Sequence, residues 1–392
     1  MRIFVKKNMS FFSTHKTLGI LGGGQLGKML LYTTRKWDIK THVLDPSDDA
    51  PCKLACNYFE VGDFKDFQTV YDFGKKVDVL TFEIEHVNLD ALKQLEKEGI
   101  SVYPSASTLE TIQNKSTQKD FYVSHKIPTA KHQNFENIDQ LKNAIEKKVL
   151  SFPFVWKSAL LGYDGNGVSV VKNQEKLTQL PKVACLAEEL VPFTHELAVI
   201  ICRNPSGEVI AYPTLEMEFH PEANQVEYVL CPSRLDKKIT EKAKNIALQV
   251  SESFEHVGLL AVELFLTPKG DILVNEVAPR PHNSGHVTIE TSYTDQFEQH
   301  IRAILDLPLG NPENKVSGVM VNLVGSEKHN GAVYYQHMNT ILEMSGVTPH
   351  IYGKKETRPF RKMGHVTIIN KDLETARKIA EDVKKTIQVI SK

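Results

Sequence analysis

The chain contains 392 residues, of which 41% are hydrophobic and 24% are charged. This composition is typical of globular proteins and excludes a disordered, collagen-like or disulfide-scaffold protein, while the length predicts roughly two to four domains. Forty-seven basic and 48 acidic side chains give a formal charge of −1, so no overall positive field attracts nucleic acid or an anionic membrane surface. We therefore expect neither nucleic acid nor a membrane among its partners.

The N-terminal segment and the cysteines favour a cytoplasmic location. No apolar run approaches the ~18–20 residues of a membrane-spanning helix. Residues 1–16 are basic, contain an apolar stretch that is too short for a signal peptide, and are interpreted as an N-terminal extension. The five cysteines fit neither a zinc spacing nor a disulfide framework, which predicts buried thiols in a reducing cytoplasm.

Residues 17–110 are predicted to form a first domain with a Rossmann-like parallel sheet. An apolar strand at 17–21 precedes the string Gly22-Gly23-Gly24-Gln25-Leu26-Gly27 and an amphipathic helix. Further apolar runs alternate with helix-like stretches, as in an open α/β sheet, and lie at 41–44, 77–82 and 100–103. The glycine string followed by Asp45 also matches a dinucleotide fingerprint, so a nicotinamide-dependent oxidoreductase stays open as an alternative.

The central domain is predicted at 111–307 and has α+β character. Ser107 and Glu110 form a capping-box pattern, which predicts a helix that runs to about His125. Short strands follow at 154–157, 168–172, 197–202 and 209–213. A long helix is expected to begin at Asp236 and to be stopped by Gly258.

A smaller α+β domain is predicted at 308–392. Prolines at 308 and 312 indicate a linker, after which strands are expected at 318–324 and 364–369. A helix from 372 to about 387 closes the chain. The predicted fold class is therefore α/β and α+β.

Two strand-like runs flank a Pro-Lys-Gly-Asp turn in the central domain. If residues 269–270 form a two-residue turn, Glu263 and Glu276 lie directly opposite each other, with Val274 on their face. Opposed like charges repel, so a cation is expected between the two carboxylates. With the Asn275 amide nearby, we interpret the pair as a Mg²⁺ site open to phosphate oxygens rather than as two solvated side chains.

A glycine-rich segment follows a strand that ends in a lysine. Lys157 precedes residues 161–167, which contain three glycines and could close over phosphates, with Lys115 adding a second charge. Alone this pattern also fits an ordinary hairpin, but beside a magnesium pair it predicts a nucleoside triphosphate site. Segment 187–193 could bind adenine through its backbone, and Glu196 could accept from ribose hydroxyls, although alone this segment is better explained as an ordinary strand-loop-strand.

Two further segments are rich in polar and charged residues. Residues 277–286 leave the glutamate strand and concentrate an arginine, two histidines, an asparagine and a serine in a loop stiffened by proline and glycine. Residues 354–362 form a local basic cluster in a neutral protein, which is usually a solvated charge run, although a monophosphate clamp is the more specific interpretation.

Taken together, these motifs resemble those of the ATP-grasp superfamily, and within it the 5-(carboxyamino)imidazole ribonucleotide synthases of purine biosynthesis. The resemblance covers about residues 17–390 and is most specific in Asn275-Glu276-Val277-Ala278-Pro279-Arg280-Pro281-His282-Asn283-Ser284-Gly285-His286. It implies a three-domain ATP-grasp architecture and an ATP-dependent carbon–nitrogen ligase that carboxylates 5-aminoimidazole ribonucleotide with bicarbonate through carboxyphosphate. It also implies a homodimer.

The resemblance further implies a set of site residues. ATP would be held by Lys115, Lys157, Gly162, Tyr163, Asp164, Gly165, Gly167, Glu188, Glu189, Leu190, Val191, Glu196, His220, Asn275 and Glu276. The other substrates would contact Gly24, Gln25, Leu26, Glu83, Asp164, Arg280, His282, Asn283, Ser284, Lys355, Arg361 and Lys362. Catalytic roles fall on Lys157, Asp164, Arg280 and His282. Glu263 and Glu276 would bind Mg²⁺, with two ions expected and Mn²⁺ as a substitute.

One residue departs from the pattern of the family, and a related class of enzyme stays open as an alternative. Phe360 stands where the family more often has glycine before its Arg-Lys pair. A sister ATP-grasp ligase, such as a formate-dependent transformylase or a biotin carboxylase, would share most of the nucleotide motifs and remains an alternative beside the oxidoreductase.

Overall fold

The structure, a computed structural model, describes residues 11–13, 15–160, 167–220 and 225–392. Its first sheet is parallel, with the strand order β3-β2-β1-β4-β5. The strands are β1 (Thr17–Leu21), β2 (Lys40–Asp45), β3 (Tyr58–Val61), β4 (Val79–Phe82) and β5 (Ser101–Val102). The helices are α1 (Gln25–Lys36), α2 (Phe67–Gly74) and α3 (Leu89–Lys97). Strand β4 is buried along its whole length, as expected where helices cover both faces of a parallel sheet.

Two helices, rather than the single predicted one, lead out of this sheet. Helix α4 (Ala106–Gln113) begins after Ser105, whose side chain accepts a hydrogen bond from the Thr108 N–H. Asn114 then adopts an extended backbone and caps α5 (Lys115–Ser124) through its side chain. The prediction of one helix opened by Ser107 is therefore wrong, because a second N-cap residue interrupts it.

A small antiparallel sheet follows, with the strand order β6-β9-β7-β8. Its strands are β6 (His132–Phe135), β7 (Phe154–Ser158), β8 (Val168–Val171) and β9 (Cys185–Glu189). Helices α6 (Ile138–Glu146) and α7 (Gln174–Thr178) accompany it. Phe154 and Trp156 are buried in the core on one side of this sheet.

A large antiparallel sheet runs from the central part of the chain into its last part, with the order β15-β14-β10-β12-β13-β16-β20-β18 and β11 paired to β10. Its elements up to residue 304 are β10 (His195–Arg203), β11 (Val209–Ala211), β12 (Leu215–Phe219), β13 (Val226–Cys231), α8 (Lys237–Phe254), β14 (Gly258–Leu266), β15 (Ile272–Ala278), α9 (Thr288–Thr291) and α10 (Gln296–Ile304). The remaining elements are β16 (Ser317–Val324), β17 (Gly331–Gln336), α11 (Met338–Leu342), β18 (Val347–Ile351), β19 (Glu356–Thr357), β20 (Lys362–Asn370), α12 (Leu373–Thr386) and β21 (Gln388–Ser391). Strands β19, β17 and β21 form a separate small sheet. The domain boundaries at 110/111 and 307/308 stay a prediction.

Helix α8 lies against the apolar face of β10, β14 and β15, where Ala243, Ala247 and Val250 are fully buried. The helix ends at Phe254, and Glu255 takes the left-handed conformation there. Gly258 begins β14, so the prediction that this glycine stops the helix is wrong.

Helix α10 joins the first sheet to the large one. Phe297 and Ile301 pack into the core of α1 and β1. On the same helix, the His300 ring accepts a hydrogen bond from the Leu259 N–H through Nδ1 and contacts the Thr81 hydroxyl through Nε2 at 3.0 Å. Across the described residues, no helix is long and apolar enough to cross a membrane.

Candidate active site

The β14–β15 hairpin brings the two predicted glutamates face to face. Glu263 pairs with Glu276 in the strand register, and the register then shifts so that Leu264 pairs with Val274. Asn275 is therefore the extra residue of a β-bulge. Val274 packs with Leu264 in the apolar core, so the prediction that it shares the face of the glutamates is wrong.

The turn of this hairpin differs from the predicted one. Thr267 donates its N–H to the Asp271 carbonyl, which leaves three residues in the loop instead of two. The longer loop shifts the register by one residue, and the bulge shifts it back. The predicted opposition of the two glutamates is thus confirmed although the predicted turn is wrong.

The two carboxylates have opposite electrostatic surroundings. Lys115 Nζ lies 2.5 Å from Glu276 Oε2, and this ammonium lowers the pKa of Glu276. Burial, together with the nearby charges of Glu276 and Glu196, raises the pKa of Glu263. Without a bound cation, Glu276 is therefore the ionised member of the pair and Glu263 is the one that holds a proton more readily.

Three buried side chains continue from this pair into the small sheet. Lys157 Nζ lies 3.0 Å from Asn275 Oδ1 and 2.9 Å from Glu188 Oε2. Lys119 contacts the other oxygen of Glu188 at 3.2 Å and donates to the Thr129 hydroxyl at 2.7 Å. Two lysines thus share one carboxylate. This group has a net positive charge and lies where the small sheet meets the β14–β15 hairpin.

Lys119 is a site residue that the sequence analysis missed. It lies four residues after Lys115 on α5, and residues at this spacing share one face of a helix. Burial lowers the pKa of Lys119 to about 8. The i, i+4 lysine pair was the available signal, although nothing in the sequence identified Glu188 as its partner.

The predicted adenine-binding segment lies at the end of β9. Glu188 is buried and turned toward the lysines, whereas Glu189 is exposed and donates its N–H to the Lys131 carbonyl at 2.8 Å. Leu190 is exposed and Val191 buried. Within β9 the main chains of Glu188 and Glu189 pair with the neighbouring strands β6 and β7, and recognition of adenine by the backbone of this segment stays a prediction.

Glu196, the predicted ribose ligand, is the second residue of strand β10, which pairs with β14 of the glutamate hairpin. Burial and the Glu276 charge raise the pKa of Glu196 to about 7. Glu196 is thus close enough to the glutamate pair for their charges to act on one another. The ring of His220, the other residue predicted to hold ATP, lies 6.5 Å from the ring of Phe360.

The glycine-rich flap is described only at its ends. Gly162, Tyr163, Asp164 and Gly165 lie outside the described residues. Gly167 accepts a hydrogen bond from the Ser158 N–H at 2.8 Å and has a φ of 77°. The flap thus joins the cleft directly beside Lys157.

The glycine string of the first sheet surrounds a buried carboxylate. Gly24 donates its N–H to Glu83 Oε1 at 2.7 Å, and Gly23 donates to Asp45 Oδ2 at 2.7 Å. A Cβ on Gly24 would lie 2.7 Å from Glu83 Oε1, so the absence of a side chain is required for this approach. Gln25 and Leu26 begin helix α1 immediately after the loop.

The loop after β15 places its arginine and histidine toward the cleft. Arg280 pairs with Glu85 at 2.8 Å. His282 Nε2 lies 3.7 Å from Glu263 Oε1, and its Nδ1 lies 3.0 Å from the Ser284 hydroxyl. Asn283 is directed away from this contact, toward the large sheet, where its amide pairs with that of Asn322, with both N–O distances at 2.9 Å.

The basic cluster of the last part of the chain is more exposed. Lys355 pairs with Asp49 at 2.5 Å, and Arg361 donates to the Glu356 carbonyl. Lys362 begins β20, close enough to Glu263 to favour the ionised form of that carboxyl. Phe360 has a φ of 60°, the left-handed region in which glycine is favoured, which accounts for the glycine more often found at this position.

Comparison with known proteins follows the same division of the chain. Residues 15–113 match a ribonucleotide synthetase preATP-grasp domain, residues 120–297 an ATP-grasp domain, and residues 318–379 a phosphoribosylaminoimidazole carboxylase C-terminal domain. The chain is 37% identical over 357 residues to the N5-carboxyaminoimidazole ribonucleotide synthase of Bacillus subtilis, which covers 90% of this chain and 91% of that protein. The chain belongs to the N5-carboxyaminoimidazole ribonucleotide synthase family.

Other members of this family extend the comparison. The crystal structure of the Aspergillus clavatus synthase with ADP and 5-aminoimidazole ribonucleotide has a TM-score of 0.87 at 31% identity, and the match covers 95% of this chain and 98% of that one. The chloroplastic phosphoribosylaminoimidazole carboxylase of Vigna aconitifolia is 40% identical over 367 residues, which is 91% of this chain. The chain spans 65% of the length of that carboxylase.

Membership of the synthase family confirms the predicted three-domain ATP-grasp architecture. The nicotinamide-dependent oxidoreductase is not favoured. Its main support, the glycine string, is occupied in this fold by the carboxylates of Glu83 and Asp45.

Proposed function

We propose that the protein carboxylates the exocyclic amine of 5-aminoimidazole ribonucleotide, using ATP and bicarbonate and producing 5-(carboxyamino)imidazole ribonucleotide, ADP and phosphate. A bicarbonate oxygen would attack the γ-phosphorus as ADP leaves. The amine would then form a bond to the carbon of carboxyphosphate, or of carbon dioxide released from it, while phosphate leaves and the nitrogen loses a proton. The observation that carries this proposal is the opposed Glu263–Glu276 pair, held beside Lys115 and Lys157 in a chain of this family.

The carboxylate pair fits the divalent ion that this chemistry requires. No cluster of three or more His, Cys, Asp and Glu ligands occurs within the described ranges of the chain. Glu263 and Glu276 with the Asn275 amide supply a few hard oxygen donors, which suits a Mg²⁺ ion whose remaining ligands are phosphate oxygens and water. When bound, the ion would neutralise charge on the transferring phosphoryl group. Whether one or two ions bind is part of the proposal.

The lysines would bind the nucleotide by charge and position. Lys157 is held between Glu188 and Asn275, so its ammonium is fixed at the mouth of the cleft before a phosphate arrives. Lys115 contacts Glu276 and would turn toward phosphate oxygens once that carboxylate binds the metal. Fixed charges of this kind stabilise phosphoryl transfer without a protein nucleophile.

The second substrate would bind where the three parts of the chain meet. Gly24 and Glu83 lie on the first sheet, Arg280 and His282 on the loop after β15, and Lys355 on the last part. A ribonucleotide there would present its amine to the cleft and its phosphate to the basic cluster. We include Asp164, Asn283, Ser284, Arg361 and Lys362 in the proposed contacts.

The cellular context is also part of the proposal. All five cysteines lie within the described ranges and carry free thiols, which supports a cytoplasmic location. A homodimer is proposed because closed two-fold dimers are the commonest oligomers. Size measurement in solution tests the dimer.

The decisive test is a phosphate-release assay in which bicarbonate and 5-aminoimidazole ribonucleotide are varied independently. We expect release from ATP to require both, and formate to be unable to replace bicarbonate. Equal turnover with formate would point instead to a transformylase. Quenching of NADH fluorescence without Mg-ATP binding would restore the oxidoreductase.

A further inference from the structure

The Gln296 side chain closes on both main-chain polar groups of His282. Gln296 is fully buried at the start of α10. Its Oε1 accepts the His282 N–H at 2.9 Å, and its Nε2 donates to the His282 carbonyl at 2.8 Å. The backbone of a proposed catalytic residue is therefore fixed by one amide from a different element.

The same amide determines how the next histidine is protonated. Because the His282 N–H can only donate, it must face Oε1, and this assigns the orientation of the Gln296 amide. Nε2 then faces His286 Nδ1 at 2.8 Å and donates to it, so the His286 ring carries its proton on Nε2. Burial also lowers the pKa of His286 well below its ordinary value, so the ring is neutral.

Gly285 provides the space that this amide occupies. A Cβ on Gly285 would lie 2.3 Å from Gln296 Oε1 and 2.6 Å from its amide carbon. No side chain at 285 is compatible with the bonded position of Gln296. The glycine and the glutamine, eleven residues apart on different elements, are thus two halves of one arrangement.

This arrangement holds the His282 ring close to Glu263, one of the two proposed metal ligands. His282 Nε2 lies 3.7 Å from Glu263 Oε1, while Nδ1 contacts Ser284. Since Arg280 is two residues earlier in the same loop, a shift of the His282 backbone would move both side chains. We propose that Gln296, seated against Gly285, is a positioning residue that holds the Arg280–His282 loop for the carboxylation step; this inference rests on the proposed function.

The same helix contains a matched control. Gln299 is also fully buried, accepts the Gly310 N–H through Oε1 at 2.8 Å and donates to the Gly310 carbonyl through Nε2 at 2.8 Å. It makes the same two-point contact with a main chain, but with the linker instead of the site loop. Leucine at either position removes the contact while keeping a comparable side-chain volume.

The experiment compares Gln296→Leu with Gln299→Leu in the full chain by steady-state phosphate release and by melting temperature. For Gln296→Leu we expect kcat for ribonucleotide-dependent release to fall about 10- to 100-fold, the range for partners that orient site residues, with KM for ATP within about threefold of the wild type. Gln299→Leu should lose similar thermal stability and keep kcat within about threefold. Equal losses of kcat in the two variants would overturn the inference.

A second measurement adds a spectroscopic signature to turnover and uses a variant that does not place leucine in the core. Gln296→Glu has the same shape and can still accept the His282 N–H, but an ionised carboxylate can donate neither to the His282 carbonyl nor to His286 Nδ1. Nitrogen NMR of labelled histidine should show the Nε2–H tautomer of His286 in the wild type and a changed tautomer or charge state in this variant. An unchanged His286 signal together with wild-type kcat would refute the positioning role.

The two hypotheses fail in distinguishable ways. If wild-type phosphate release does not depend on the ribonucleotide, the proposed function is wrong whatever the variants do. If the wild type behaves as proposed and the Gln296 and Gln299 variants do not differ, only the positioning role is lost.

Discussion

The buried lysines beside the glutamate hairpin and the exposed basic cluster of residues 354–362 hold their cations in opposite ways. Lys119 and Lys157 are buried and share the Glu188 carboxylate, whereas the Lys355 side chain is 70% exposed and its partner Asp49 is 62% exposed. A buried ion pair costs desolvation but holds its geometry, while an exposed pair contributes little and exchanges readily. The lysines of the proposed ATP site are therefore held in place by Glu188 before a ligand binds, whereas the exposed basic cluster can rearrange around a phosphate.

The largest expected effect separates the two members of the carboxylate pair. Glu263→Gln and Glu276→Gln should each lower ribonucleotide-dependent phosphate release at least about 10²- to 10³-fold, because each removes a negative charge that would hold the proposed metal. Their melting temperatures should differ. Glu276→Gln leaves Lys115 without its carboxylate and should melt lower, whereas Glu263→Gln replaces the side chain that already holds a proton without a cation and should melt near the wild-type value.

Reversal of that order, with Glu263→Gln the less stable variant, would show that the assignment of the ionised carboxylate is wrong. If both variants keep wild-type activity, the two glutamates take no part in the mechanism.

The next prediction tests whether Lys119 supplies the net positive charge of the buried group formed by Lys119, Lys157 and Glu188. Lys119→Met leaves Glu188 to be neutralised by Lys157 alone, so KM for ATP should rise about tenfold, equivalent to about 1.4 kcal/mol of binding. Lys119→Arg keeps the charge and serves as the matched control. A rise in KM that is as large in the arginine variant would indicate that shape, and not charge, matters at this position.

A separate effect, on stability and not on activity, concerns unfolding in acid, which the buried histidines should promote. Burial lowers the pKa of His256 to about 4, while the unfolded chain titrates near pH 6.5. The unfolded state then binds protons that the folded state does not, so the free energy of unfolding should fall as pH drops from about 6.5 toward 4, by up to about 3 kcal/mol from this residue. Denaturant unfolding measured at several pH values in the wild type and in His256→Gln tests this; identical slopes would contradict it.

The smallest effect is expected at the exposed pair. Asp49→Ala should leave the melting temperature almost unchanged, because surface ion pairs contribute little to stability. It should lower KM for the ribonucleotide slightly, since Asp49 no longer competes with a phosphate for Lys355. Asp48, which pairs with Lys53 on the same loop, gives the control variant Asp48→Ala, whose KM should stay unchanged.

The hairpin shows how far sequence reasoning reaches. Alternation and an assumed two-residue turn predicted that Glu263 faces Glu276, and the pairing is as predicted only because the longer loop and the bulge shift the register in opposite directions. The three-residue loop and the bulge at Asn275 were not predictable, because each is selected by packing of the whole sheet rather than by local preference. The prediction that Val274 shares the face of the glutamates is wrong for that reason, because it assumed a continuous register between the turn and the glutamates.

By itself, the sequence determined the strands and helices with strong periodicity, the chemical types at the site and the family to which the chain belongs. These depend on neighbours along the chain and on motifs that survive as strings of residues. Only the tertiary structure decided which charges meet. Lys115 and Glu276 are 161 residues apart, and Lys157 and Asn275 are 118 residues apart, so their pairing follows from how the sheets pack. The contact between Gln296 and Gly285 has the same origin. Close packing around α10, and not a local pattern, places the Gln296 amide against a residue that has no side chain.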